Sequence, residues 1–171
     1  MGEARSADTT GTIMAHTYTQ ILIHMVFATK ERRPLIVPQL KADLHAYMVG
    51  VSRNLKCHVY ALNGVADHCH LVFDLSPTIA LADFANRVKA GSTKWVRRDR
   101  GMRHFGWQRG YGAFSVSRQN LDRAIQYVDS QEAHHRRRSF QEELESFMEL
   151  HGMKMDSEFV QGVFHKPNTG E

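Results

Sequence analysis

The chain has 171 residues with a formal net charge of +4, 42% hydrophobic and 23% charged residues, which fits one globular domain plus tails and leaves no room for a second catalytic domain. No apolar run approaches the ~20 residues needed to span a bilayer and no basic-then-apolar leader opens the chain, so a soluble, cytoplasmic protein with no membrane partner is expected. Cys57 and Cys69 are too few for a disulfide framework or a four-thiolate zinc site.

Residues 1–16 are polar and lack apolar periodicity, which predicts a disordered tail with Met14 as an alternative start. Tyr18 to Thr29 is almost continuously apolar and β-rich, the pattern of a strand buried in a sheet. Charged residues and two prolines between Lys30 and Pro38 end it. From Gln39 to Leu55, Leu40, Leu44, Tyr47, Met48, Val51 and Leu55 recur at spacings of three and four and predict a helix. His58 to Gly64 and His68 to Leu75 read as a hairpin. Leu81, Phe84, Ala85, Val88 and Trp95 trace a second helix, with Gly91 inside it as a candidate kink or close approach. Gly101 to Gly112 reads as loop, Ala113 to Ser117 as a short strand and Leu121 to His135 as a third helix. Ser139 and Glu142 have the spacing of a capping box, so a fourth helix is expected to run to His151.

The order is β-α-β-β-α-β-α-α. Its first six elements match the split β-α-β, ferredoxin-like α+β plan, an antiparallel sheet with both helices on one face, followed by additional C-terminal helices. That plan hosts many functions, so chemistry must be read from side chains.

The common enzyme signatures are absent: no phosphate loop, no His-Glu-x-x-His, no Gly-x-Ser-x-Gly and no dinucleotide fingerprint. Three constellations remain. His68 and His70 flank Cys69 on the second hairpin strand, and alternation sends both imidazoles to one face, where two nitrogens can converge on a metal ion. A chain with 11 histidines holds nearly one such spacing by chance, and a surface pair or a hydrogen-bonded pair explains it equally well; Asp67 could orient one of the rings. Tyr127 and Gln131, four apart, share a helix face on the flank of the stripe Leu121, Ala124, Ile125 and Val128, where a packed structural tyrosine is the ordinary explanation. Between Arg87 and Arg109 eight cations face one acid, Asp99, a local excess of +7 over a remainder that is net acidic. Trp95, Phe105, Trp107 and Tyr111 lie among them, so phosphates could meet Lys and Arg while unstacked bases lie on rings. A solvated basic face, with the tryptophans packed inward, is the alternative.

Five segments in order resemble the single-tyrosine HUH transposases of the insertion-sequence-200/605-like group, including relatives associated with repetitive extragenic palindromes. They are Tyr18 to Lys30, Asp67 to Phe73, Lys89 to Trp95, Trp107 to Ser117 and Tyr127 to Arg136, spread from about Thr17 to Met153. The resemblance implies a catalytic domain over residues 17–153 with a tail over 154–171. It implies Tyr127 as nucleophile, His68 and His70 as metal ligands and Gln131 as the third, with Mg2+ or Mn2+ as cofactor. Cys69 departs from the bulkier aliphatic residue usual between the histidines. The implied activity is cleavage and rejoining of single-stranded DNA with hairpin ends through a 5′-phosphotyrosine, by a homodimer able to exchange its tyrosine helix. Cations such as Arg123 would favour the phenolate. Lys89, Lys94, Trp95, Arg97, Arg98 and Arg103 are the expected DNA contacts, with Arg136 to Arg138 secondary. A non-catalytic hairpin-binding module on the same fold is the alternative; an RNA-binding ferredoxin-like domain is disfavoured because its aromatic strand signature is missing.

Overall fold

The computed structural model describes residues 18–134 and 139–154. The expected tails, Met14 and Arg136 to Arg138 lie outside the described residues. Four strands, β1 (Leu22–Ala28), β2 (His58–Val65), β3 (His68–Asp74) and β4 (Gly112–Ser115), form one antiparallel sheet in the order β2-β3-β1-β4. With α1 (Pro38–Asn54) after β1 and α2 (Leu81–Asp99) after β3, this is the ferredoxin-like arrangement. Among the described residues, no helix is long and apolar enough to cross a membrane.

The two central strands are buried on both faces. Side chains of period two send Ile23, Met25 and Phe27 of β1, with Cys69, Leu71 and Phe73 of β3, to one side, where they form the main core with Leu40, Leu44 and Met48 of α1 and Phe84, Ala85 and Val88 of α2. The opposite parity, Leu22, His24, Val26 and Ala28 with His68, His70 and Val72, faces the second side. That side is covered by α3 (Leu121–Asp129), the single turn α4 (Gln131–His134) and α5 (Phe140–Leu150). In β2 the register shifts between Val59 and Ala61, so that Tyr60 and Ala61 both join the cluster under α3.

The third helix is shorter than the sequence predicts. It stops at Ser130, whose hydroxyl donates back to the carbonyls of Gln126 (2.8 Å) and Tyr127 (3.2 Å), while Asn63 of β2 donates to the carbonyl of Asp129 at 3.0 Å. These bonds satisfy the carbonyls of the last turn and let the chain restart as α4. Tyr127 and Gln131 therefore sit on two helices rather than one. The fourth helix begins as expected, with Ser139 and Glu142 completing a reciprocal capping box.

Two glycines behave differently. A Cβ on Gly64 would lie 2.2 Å from the carbonyl oxygen of His68, so the hairpin closes only around a bare backbone there. At Gly91, the candidate kink or close approach, α2 runs unbroken, and a Cβ would meet Tyr47 and Val51 at ordinary contact distances of 3.7–3.8 Å. Gly91→Ala is therefore expected to raise unfolding free energy by about 0.5–1 kcal/mol in urea titrations, whereas Gly64→Ala is expected to lower it by about 1–3 kcal/mol.

Candidate active site

The second face of β3 supplies two imidazoles at zero solvent exposure, His68 and His70, with Cys69 in the opposite core. Each ring is held at Nδ1. His68 Nδ1 lies 2.7 Å from Asp67 Oδ1, and Asp67 also accepts from Arg32 at 2.7 Å. Burial acts to raise the Asp67 carboxyl, but the hydrogen bond and charge of His68, with those of Arg32, outweigh it and hold the group at about 2. The turn that places these groups is the charged break after β1. There Thr29 donates through its amide to the carbonyl of Asp67 (2.8 Å), and Glu31 and Arg32 take left-handed φ angles of 58° and 51°. His70 Nδ1 lies 3.0 Å from His24 Nε2 of β1. Burial, reinforced by neighbouring His70 and His151, keeps His24 well below the usual imidazole range and hence neutral.

With both Nδ1 atoms engaged, both Nε2 atoms turn to the same point. Glu143 of α5 meets them there, its Oε2 at 3.3 Å from His70 Nε2 and 3.7 Å from His68 Nε2. The other carboxylate oxygen accepts from Gln131 Nε2 at 2.9 Å. Burial lifts the Glu143 carboxyl to about 7 against the lowering effect of His68. His68, His70 and Glu143 offer ligand atoms within 4.8 Å of one another, all buried. Two imidazole nitrogens and one carboxylate oxygen suit a divalent transition ion, so of the two expected metals the donor set fits Mn2+ better than Mg2+. The half-buried Tyr127 stands beside it, its ring centroid 5.9 Å from those of both His70 and His24.

Helix α5 is the roof. Phe140 lies over His68 (4.3 Å) and under the guanidinium of Arg32 (5.0 Å), while Phe147 packs edge-on against His24 (4.8 Å) and Tyr127 (5.3 Å). The sequence reading placed Gln131 here and missed Glu143. An acid in the first turn of a capped helix ordinarily serves the helix dipole, so only the spacing of Phe140, Glu143, Leu144 and Phe147 on one face could have signalled that Glu143 turns inward.

The basic stretch is more divided than its composition suggests. Lys94, Arg97, Arg98 and Arg103 are exposed. The first three line, with Trp107, Arg109 and Tyr111, a groove of about 990 Å³ between α2 and the segment leading into β4. Within it Arg97 also donates to the carbonyl of Phe105, and Arg98 pairs with Asp99 at 2.6 Å and 2.8 Å. Lys89 points inward and donates to the carbonyls of Arg109 (3.0 Å) and Gly110 (2.8 Å). Trp95 stacks on Tyr47 at 4.9 Å beneath Arg100, and Trp107 donates to Ser92 Oγ while packing on Phe27. Lys89 thus lines the groove while its ammonium is tied to backbone carbonyls, and Trp95 is half-buried against Tyr47.

Residues 17–131 match the family model described as "Transposase IS200 like". The chain belongs to the IS200-like transposase family. Among solved structures, this family member resembles a candidate transposase from Deinococcus radiodurans R1, at 20% identity and a TM-score of 0.54, over 77% of this chain and 98% of that one. It also resembles a REP-associated tyrosine transposase bound to a REP hairpin, at 14% identity and a TM-score of 0.51, over 76% and 72% of the two chains. At these identities the two structures establish the fold alone. No curated protein matches the sequence.

Burial lowers the Lys89 ammonium to about 8 from an ordinary value of 10.5. The unfolded chain holds that proton through a window in which the native state has shed it, so stability is expected to rise as pH climbs from 8 to 10.5. Denaturant midpoints of wild type across that range should rise relative to those of Lys89→Met, which lacks the titration.

Proposed function

We propose that this transposase cleaves and rejoins single-stranded DNA, with Tyr127 as nucleophile. The observation that carries the reading is the placement of the Tyr127 ring beside His70 of its own chain, next to a convergent His68, His70 and Glu143 set. His68 and His70 would hold a divalent cation, Mg2+ or Mn2+, through Nε2, and Glu143, hydrogen-bonded by Gln131, would supply the third ligand oxygen. When bound, the ion polarises the scissile phosphate and neutralises charge on its non-bridging oxygens. The Tyr127 phenol oxygen attacks phosphorus and loses its proton; the bond to the 3′ oxygen breaks, and that oxygen leaves protonated as a 3′-hydroxyl. The other product is a 5′-phosphotyrosine, which keeps the phosphodiester energy, so a second 3′-hydroxyl can reverse the step without a nucleotide cofactor.

Three further features follow from this reading. With α5 seated, neither imidazole is exposed, so admitting a strand requires α5 to lift. The groove beside α2 lies on the α1 and α2 side of the sheet and Tyr127 on the α3 side, so DNA held by Lys94 and Arg98 reaches the tyrosine by passing around the β4 edge. Because Tyr127 already stands at its own chain's histidines, a homodimer carries two complete sites without exchanging helices. Hairpin recognition is supported by the basic groove and by the hairpin bound to the REP-associated relative.

Incubation of the full chain with a single-stranded hairpin from its own genomic flanks and Mn2+ should give a protein-DNA adduct on a denaturing gel. Tyr127→Phe should give none, and His68→Ala should reduce it by about 10²-fold or more, both with hairpin binding retained. Binding without an adduct in wild type would instead establish the non-catalytic hairpin-binding module. Lys94→Ala with Arg98→Ala should weaken binding and flatten its dependence on log salt by about one unit per lost phosphate contact.

A further inference from the structure

We propose that His24 is a positioning residue: its Nε2 accepts the Nδ1 proton of His70 and so fixes the tautomer in which the Nε2 lone pair of His70 faces Glu143. The inference rests on the metal reading above and extends it to a strand that contributes no ligand.

The need for such a partner follows from where the two histidines sit. His68 begins β3 and reaches a carboxylate in the adjoining turn. His70 lies mid-strand, opposite Val26, and the backbone groups around it are engaged in the ladders of β3 with β1 and β2. A side chain projecting from a neighbouring strand serves its Nδ1. On β1 the diagonal neighbour of the same parity is His24, a buried polar residue in a seven-residue strand otherwise made of Leu, Ile, Met, Val, Phe and Ala. Phe147 and Tyr127 pack on the His24 ring and hold it in place.

The 3.0 Å contact can run in two directions. If His24 Nε2 donates, neutral His70 must carry its proton on Nε2, aimed at Glu143, and has no lone pair for a metal. If His24 accepts, its own proton sits on Nδ1 and His70 presents an unprotonated Nε2. The second arrangement is the ligand-ready one, and metal entry selects it. His24 thus does for His70 what Asp67 does for His68, with a neutral acceptor in place of a carboxylate.

The test uses the full-length protein with Mn2+ as the probe, binding being read by electron paramagnetic resonance without DNA. His24→Leu, which removes the acceptor, should weaken Mn2+ binding about 10–100-fold. His24→Gln, whose amide oxygen can still accept, should recover most of that loss, while both variants melt cooperatively without metal. Equal affinity of wild type and His24→Leu, or equal loss in both variants, overturns the role. Should His24→Leu fail to fold, 15N spectra of the wild-type protein loaded with Zn2+ decide the matter: a protonated Nδ1 and bare Nε2 on His24 support the role, and the reverse tautomer refutes it. Absence of any Mn2+ or Zn2+ uptake by wild type would instead remove the metal reading itself, and this role with it.

Discussion

Strand β3 is buried on both faces from His68 to Phe73. Its odd side chains enter the apolar core with α1 and α2, so every polar side chain it carries must go to the other face, and that face too is roofed. Two imidazoles placed there need hydrogen-bond partners, because a buried polar group left unpaired costs about 1–3 kcal/mol. Asp67, His24 and Glu143 come from a turn, a neighbouring strand and a distant helix respectively, and each meets a ring nitrogen. The same requirement that stabilises the buried pair also orients both rings toward one point.

That economy links stability to chemistry. Phe140 and Leu144 seat α5 on Val26, Ala28 and Phe114, and this apolar contact carries Glu143 to the histidines, where burial alone would disfavour its charge. Gln131 reaches the same carboxylate because the break at Ser130 redirects the chain after Tyr127. The helix that completes the donor set is thus also the one that shuts it from solvent. On the opposite side of the sheet, exposed cations of α2 line a groove and the buried Lys89 ties α2 to the segment before β4.

Much of this was legible in the sequence because it depends on period. The strand and helix order, the two-residue alternation that sets His68 and His70 apart from Cys69, and the capping box at Ser139 are local patterns. What escaped depends on tertiary contact. The stop at Ser130 is made by its own hydroxyl together with Asn63 from another strand; the inward turn of Glu143 is set by the roof on which it rides. His24 was visible as a lone polar residue in an apolar strand, and its parity with His70 across β1 and β3 depended on a register that only the folded sheet fixes. That Lys89 ties its ammonium to the carbonyls of Arg109 and Gly110, and that Trp95 stacks on Tyr47, likewise depends on tertiary contact, which a charge count does not register.

The central claim is that His68 and His70 form a metal centre beside Tyr127 of the same chain. Anomalous diffraction from a crystal grown with Mn2+ tests it most directly. The account predicts one strong peak at about 2.0–2.3 Å from Nε2 of both His68 and His70, with Tyr127 of that chain beside it. A fully occupied Mn2+ elsewhere with none between these two nitrogens, or a site completed only by a tyrosine from a second subunit, would contradict it.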